Sequence, residues 1–306
     1  MSANVQKSKS IGLVSLFLVS LFVTMVSTAP TVMAVNETTS GTITGTETWT
    51  GVMNLDGDLL VAGGAKLIIN AGTTINVPAD KNIQIQGSIC AGDTSCGASQ
   101  ASTGSPIRFI WGSAAAPAPN QTGRCYITGV WNPDMSCGSG IYLASTIDQS
   151  LTRMNHVTVD GAYGIPVDID GQGTIKYGAM IFDGASLSVT NPTFKDINTT
   201  NVLAFDGASP TLDGGTFVVG TDGQGYQGAA IQAYGAGAGL VVMQILNSAF
   251  TGAETDCGQQ GGGRSAIYLE NSFVRMDTVS ITQNSYGAFL RSSSGYLTNS
   301  TITTKC

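Results

Sequence analysis

The segment Phe182-Asp183-Gly184-Ala185-Ser186 recurs 23 residues later as Phe205-Asp206-Gly207-Ala208-Ser209, and Thr193-Phe194 recurs as Thr216-Phe217 at the same offset. Two matches in one register mark a repeat, and a repeat constrains architecture more tightly than local propensity does. A period in the low twenties, without the i, i+3, i+4 apolar spacing of a helix, is the length of one turn of a β-solenoid.

The rest of the chain agrees. Between residues 41 and 113, Leu59-x-Val61, Leu67-x-Ile69, Ile75-x-Val77, Ile83-x-Ile85 and Ile107-x-Phe109 alternate apolar with other residues, and glycines punctuate them. Alternation with period two buries one face of a strand, and the glycines supply the turns. Beyond residue 139 one strand type closes on Val159, Phe194, Phe217, Phe250, Ile281 and Ile302, spaced 35, 23, 33, 31 and 21 residues apart. That is a base turn of about 22 residues with loops inserted in three places. A second type reads Ile141-Tyr-Leu143, Ile165-Pro-Val167, Leu203-Ala-Phe205, Ile231-Gln-Ala233, Ile267-Tyr-Leu269 and Ala288-Phe-Leu290. A third, shorter type is seen in Leu187-x-Val189 and Leu240-x-Val242, and residues 174 to 183 fit poorly and are expected to be an inserted hairpin. Three strands per turn predict an all-β, three-sided parallel β-helix, each turn pairing with the next at about 4.8 Å.

Residues 1–34 read as an export signal: Lys7 and Lys9, an apolar run from Ile11 to Val26, then Val32-Met33-Ala34 before the cut. An uncleaved N-terminal anchor is the rival reading, and no later stretch is long and apolar enough to span a bilayer as a helix. Residues 35–306 are expected to form one β-helix domain: N-terminal coils over 41–113, a loop with a disulfide over 114–138, and repeat coils over 139–306. Removing two lysines with the leader takes the net charge from −7 to −9, which leaves no basic footprint for nucleic acid. The chain stops directly after a strand without a capping helix, so further coils or domains beyond residue 306 are expected.

Six cysteines, all past the leader, suit an oxidising compartment, secreted or at the cell surface. Cys90 with Cys96, and Cys125 with Cys137, bracket short loops and are expected to pair locally, whereas Cys257 and Cys306 pair together or elsewhere. Zinc is disfavoured, with no Cys-x-x-Cys and His156 as the single histidine. Four Asn-x-Thr/Ser sequons, at Asn36, Asn120, Asn198 and Asn299, would carry glycans on an exported surface; in a Thr-rich chain they also arise by chance.

The run Gly57-Asp-Leu-Leu-Val-Ala-Gly-Gly-Ala-Lys-Leu-Ile-Ile-Asn-Ala-Gly-Thr-Thr-Ile75 resembles the opening turn of secreted right-handed parallel β-helix proteins of the pectin-lyase-like superfamily, and the corners Asn191-Pro-Thr-Phe194 and Asn299-Ser-Thr-Ile302 are similar to its repeats. The resemblance covers residues 41 to 306 and implies a right-handed coil. The superfamily includes polysaccharide lyases and hydrolases. Its hydrolases share an Asn-Thr-Asp strand, a paired-Asp motif, a His-Gly and an Arg-Ile-Lys; none occurs here, and Thr174-Ile175-Lys176 resembles only the last in part. His156 stands where other turns have Asn191, Asn247 and Asn299, so a corner role is expected.

Two candidate ligand sets remain. Asp170, Asp183 and Asp206 each precede a glycine, and stacking by turns would let them share a calcium ion with Asp168; the plainer reading is that Asp-Gly makes turns. Alternation points Tyr142 and Tyr268 outward, where tyrosines can stack on sugar rings, joined by Tyr126 and Trp131 of the cysteine-bracketed loop. A binding module needs such aromatic and amide groups. An enzyme needs at least two carboxylates and a Lys or Arg in one concave patch, for which Arg153 near Asp168 or Lys176 near Asp183 are the candidates. The sequence therefore predicts a non-catalytic adhesion or carbohydrate-binding module without a required cofactor, with a diverged polysaccharide lyase or hydrolase as the alternative. The Thr42-x-Thr-x-Thr-x-Thr-x-Thr50 run is expected to be one strand, and a threonine grid on that scale occurs chiefly once.

Overall fold

In the computed structural model the described residues are 31–33, 37–112, 138–172, 174–218, 229–235, 239–252, 265–284 and 286–304. From residue 37 onward they form a three-sided parallel β-helix. Each turn visits three faces in the same order. The first face stacks Thr46–Trp49, Lys66–Ile69, Ser88–Ala91, Arg153–Asn155, Ser188–Thr190, Thr211–Asp213, Val241–Leu246, Ser272–Asp277 and Ser294–Thr298. The second stacks Thr74–Val77, Ile107–Trp111, Val157–Asp160, Thr193–Lys195, Thr216–Val218, Ala249–Thr251, Ser280–Asn284 and Thr301–Thr304. The third stacks Asn82–Ile85, Gly140–Leu143, Met180–Asp183, Val202–Phe205, Ile231–Tyr234, Ser265–Glu270 and Tyr286–Arg291. In the opening turns the long strand Val52–Val61 serves both the second and third faces.

Pairing by turns is what the spacing of apolar residues predicts. Val159, Phe194, Phe217, Phe250, Ile281 and Ile302 are successive partners on the second face, so the uneven intervals are absorbed by loops at the corners while the strand register is kept. Inside, Phe194 stacks on Phe217 at 5.4 Å between centroids and Phe217 on Phe250 at 4.7 Å, with all three fully buried. Like residues stack on like because each turn places the same position directly above its predecessor.

Corners between the first and second faces need a left-handed backbone. His156, Asn191, Asn247, Thr278 and Asn299 hold φ between 48° and 56° there. Asparagine tolerates this region because its short amide can bond locally. Here the amides also link turns: Asn247 Nδ2 donates to Asp213 at 2.8 Å, and Asn299 Nδ2 to Asp277 at 3.1 Å. His156 fills the same corner, its Nδ1 2.9 Å from Asn155 Oδ1, which matches the structural role expected for it.

Three sequence expectations are corrected. Ile165-Pro-Val167 is not a third-face strand. Ile165–Asp168 pairs antiparallel with Ile175–Gly178 as a hairpin, and Met180–Asp183 takes the place in the face. Both segments are short apolar runs, and only the pairing of Met180–Asp183 with the turns before and after it tells them apart. In Leu240-x-Val242 and in Leu203-Ala-Phe205 the phase is off by one: Val241, Met243 and Ile245, like Val202 and Ala204, point inward, whereas Leu240 is 56% exposed and Leu203 and Phe205 face outward under the hairpin. An unbroken run of four apolar residues carries no alternation to phase it. The Thr42–Thr50 run splits between Glu37–Ile43 and Thr46–Trp49, on different faces. Threonines recur instead along the outside of the second face, where Thr158, Thr193 and Thr216 are successive partners.

Cys90 and Cys96 form a disulfide across a short loop on the first face. Asp93 caps the intervening helical turn, its carboxylate accepting from Ser95 N, and Lys66 Nζ donates to the carbonyl of Cys96 at 2.6 Å. Cys125, Cys137, Cys257 and Cys306 lie outside the described residues, as do residues 1–30 of the expected leader 1–34.

Candidate functional site

The middle strands of the third face, Met180–Asp183, Val202–Phe205 and Ile231–Tyr234, are buried on both sides, which a solvent-facing solenoid wall is not. The inner row of the face runs through Ile141, Met180, Val202, Ile231 and Ile267. Its outer row runs through Tyr142, Ile181, Leu203, Gln232, Tyr268 and Phe289, with a second outer row of Asp183, Phe205, Tyr234, Glu270 and Arg291. The hairpin explains the apolar outer residues. Its Ile165, Val167 and Ile169 pack on Ile181, Leu203, Phe205 and Tyr234 as a second hydrophobic cluster, with Tyr142 and Tyr268 at the margins.

The hairpin tip is a tight turn built by Asp170. Its Oδ1 accepts from Gln172 N at 2.8 Å and Thr174 N at 3.2 Å, and its Oδ2 from Thr174 Oγ1 at 2.6 Å. These bonds, Thr174's hydroxyl foremost, hold the carboxyl well below its ordinary pKa. Where the tip overhangs the next turns it walls a cleft of about 380 Å³, lined by Asp170, Thr174 and Lys176 on one side. The opposite side is Tyr234, Tyr268, Glu270, Asn271 and Arg291. Gly235 floors it: a Cβ there would lie 1.8 Å from the carbonyl oxygen of Asn271, so only glycine lets these two turns approach.

Within the cleft, Lys176 Nζ sits 5.2 Å over the ring of Tyr234, a cation–π contact. Tyr268 donates its hydroxyl to Glu270 Oε2 at 3.1 Å, and Arg291 Nη1 lies 3.5 Å from Glu270 Oε1. Burial first, then the bond to Glu270, raise the Tyr268 pKa. Tyr268 and Phe289 lie parallel with centroids 5.4 Å apart, and Tyr234 adjoins Tyr268 from the other side at 5.7 Å. Tyr268 thus shows solvent its edge and hydroxyl rather than a ring face.

The sequence candidates are dispersed by this geometry. Tyr142 and Tyr268 share an outer row but stand four turns apart, about 19 Å at the spacing of paired strands. Tyr142 is packed beside the hairpin and donates its hydroxyl to Asp183 Oδ2; burial first, then the neighbouring Asp183, push its pKa up. Asp183 is buried and pairs in register with Phe205, which puts Asp206 one position beyond it on the next turn, so the repeated Phe-Asp-Gly is out of strand register by one here; burial chiefly, and the charge of Asp206, raise the Asp183 carboxyl, against the Tyr142 hydrogen bond. Asp168 and Asp170 are on the hairpin, where Asp170 N donates to Asp168 Oδ1 at 3.2 Å. Among the described residues no three His, Cys, Asp or Glu side chains come together as a metal site. Arg153 is on the first face, bonded to the carbonyls of Gln149 and Thr152, and Lys176 meets Tyr234 rather than Asp183. Tyr126 and Trp131 lie outside the described residues.

Sequence reasoning passed over Tyr234, Glu270 and Arg291, although the signal was present. They follow the aligned strands Ile231-Gln-Ala233, Ile267-Tyr-Leu269 and Ala288-Phe-Leu290 by one position, so a correct alignment already stacks them. What hid the cleft was the placement of the hairpin: from the sequence it is expected over 174 to 183, while its first strand, Ile165–Asp168, reads as a strand of the face and Met180–Asp183, which is one, as part of the hairpin.

No protein-family model, curated protein or solved structure matches the chain. The class defined by the fold and the site is a parallel β-helix with a disulfide on its first face and a polar cleft under an inserted hairpin.

Proposed function

We propose that the chain is an exported, non-catalytic β-helix module, secreted or at the cell surface, that binds carbohydrate in the cleft between the hairpin and the third face. The observation that carries this reading is the lining of the cleft. A concave site of about 380 Å³ offers amide, hydroxyl, ammonium and guanidinium groups beside aromatic edges. A hydroxyl-rich ligand is recognised by many convergent hydrogen bonds on a rigid floor. The solenoid supplies that floor, and the leader-like N-terminus and the cysteines support a place outside the cytoplasm.

The test is retention of the chain without its leader on an array of neutral and acidic polysaccharides, with and without calcium, beside variants Arg291→Ala and Lys176→Ala. Retention that both variants weaken supports the reading. Retention unaffected by either moves the ligand to another face. A calcium requirement would point to Asp183 and Asp206, the candidate carboxylates on adjoining turns.

One observation favours the alternative, a polysaccharide-cleaving enzyme of pectin-lyase-like type: Asp170 and Glu270 share the cleft with Lys176 and Arg291. Against it, Asp170 is committed to its own turn and is a poor proton acceptor, and Glu270 already accepts from Tyr268 and faces Arg291. Release of reducing ends or unsaturated products by the purified chain, lost on Glu270→Gln, would replace the binding reading with the enzymatic one.

A further inference from the structure

The hydrogen-bonding groups of the cleft are unevenly spent. The acceptors are used: both oxygens of Asp170 receive bonds within the hairpin turn, and the two oxygens of Glu270 face Tyr268 and Arg291. The donors are not. Lys176 rests on the ring of Tyr234, and among the described residues it has no carboxylate within ion-pair distance. Arg291 meets Glu270 through Nη1 at 3.5 Å and also reaches the Tyr268 hydroxyl, yet its side chain is 66% exposed, so further N–H groups of its fork face the solvent. A ligand entering here meets unsatisfied cationic donors from two sides, one on the hairpin and one on the last third-face strand, with Tyr234 and Tyr268 between them.

We infer that the cleft selects a saccharide bearing a single, isolated anionic substituent, held between Lys176 and Arg291. This rests on the carbohydrate reading and sharpens it. Charge-assisted bonds from the ammonium and the guanidinium fit a carboxylate or a sulfate ester equally well. A densely charged polyanion does not fit, because the chain carries a net charge of −7, and −9 without its leader, and repels it before contact. The local pair of cations is screened from that field over a Debye length, so one anionic group can dock where a row of them cannot.

The experiment is ligand-observed NMR titration of the chain with glucose, glucuronate, glucose 6-sulfate, inorganic sulfate and polygalacturonate. The proteins are the wild type, Lys176→Met, Lys176→Arg and Arg291→Gln, each checked for an unchanged thermal midpoint. Expected are saturable binding of glucuronate and glucose 6-sulfate, and loss of at least about tenfold in affinity with Lys176→Met or Arg291→Gln. Lys176→Arg, which keeps the charge, should restore much of it. If glucose binds as well as glucuronate, the anion inference is overturned while the carbohydrate reading stands. If polygalacturonate binds most tightly, the restriction to an isolated charge is overturned. If inorganic sulfate binds and no sugar does, or if nothing binds, both readings fall. Should the variants unfold, the comparison of glucose with glucuronate on the wild type decides alone.

Discussion

Replacing Phe217 by alanine tests the central claim about the fold, that stability resides in one aligned interior stack. Phe217 is fully buried and sandwiched, with Phe194 at 5.4 Å and Phe250 at 4.7 Å and interplanar angles of 15° and 12°. Truncating a buried phenylalanine costs about 3–5 kcal/mol, because the transfer free energy of the ring is lost and a cavity remains. Two stacked neighbours place this site toward the upper part of that range, at about 4 kcal/mol, since each aromatic pair contributes about 0.5–1.5 kcal/mol beyond its buried area. The control is Phe289→Ala on the outer row, where the ring is 51% exposed and stacks only on Tyr268. Its loss should cost about 1 kcal/mol. Urea unfolding followed by far-ultraviolet circular dichroism reads both variants on one scale, with the backbone signal reporting on every turn. A Phe217→Ala destabilisation no larger than that of Phe289→Ala would show that the interior stack is not the source of stability.

Three further outcomes follow from local geometry. Asp183 is buried and its carboxyl is raised above its ordinary 3.8, so the folded state holds the proton more tightly than the unfolded chain. Its contribution to stability is therefore full below 3.8 and fades as pH rises through the raised value; Asp183→Asn, which keeps an acceptor for Tyr142, should gain on the wild type in thermal midpoint from acid toward neutrality, and a pH-independent difference would count against this. At the Asn247 corner, with φ of 48°, Asn247→Ala should cost about 1–2 kcal/mol in urea titration and Asn247→Gly clearly less, because alanine bears the left-handed strain that glycine escapes; equal losses would point to the bond with Asp213 instead. Breaking the Cys90–Cys96 bridge, which closes a loop of sequence separation 6, should lower stability by about 2 kcal/mol, read as a shift of the urea midpoint between the wild type and the double variant Cys90→Ser, Cys96→Ser; an unmoved midpoint would mean that the loop is held by Asp93 and Lys66 alone.

Much of the fold could be read in the chain because a solenoid is built from local rules repeated. Phe194, Phe217 and Phe250 had to stack once their spacing was seen, and Asn191, Asn247 and Asn299 had to be corners once they preceded the same strand. The same reading located the Cys90–Cys96 pair from the loop it brackets. It failed where two short apolar runs competed for one place. Ile165-Pro-Val167 and Met180-Ile-Phe182 carry the same period-two signal, and no residue in either announces whether its partner is parallel or antiparallel.

Legible in the chain alone was the turn: a period near 22 residues, an inward apolar row in most strands, and the residues allowed at the corners, because all of these follow from strand alternation and backbone sterics within a few positions. What only the tertiary structure decided was the site. Asp170, Lys176, Tyr234, Tyr268, Glu270 and Arg291 come from a hairpin and three separate turns, and they meet because Ile165, Val167 and Ile169 fold that hairpin down onto Ile181 and Leu203. That contact is long in sequence and hydrophobic in nature, and the hydrophobic effect carries no direction or address. The chain therefore specifies which residues seek burial, while the packed third face decides which of them meet.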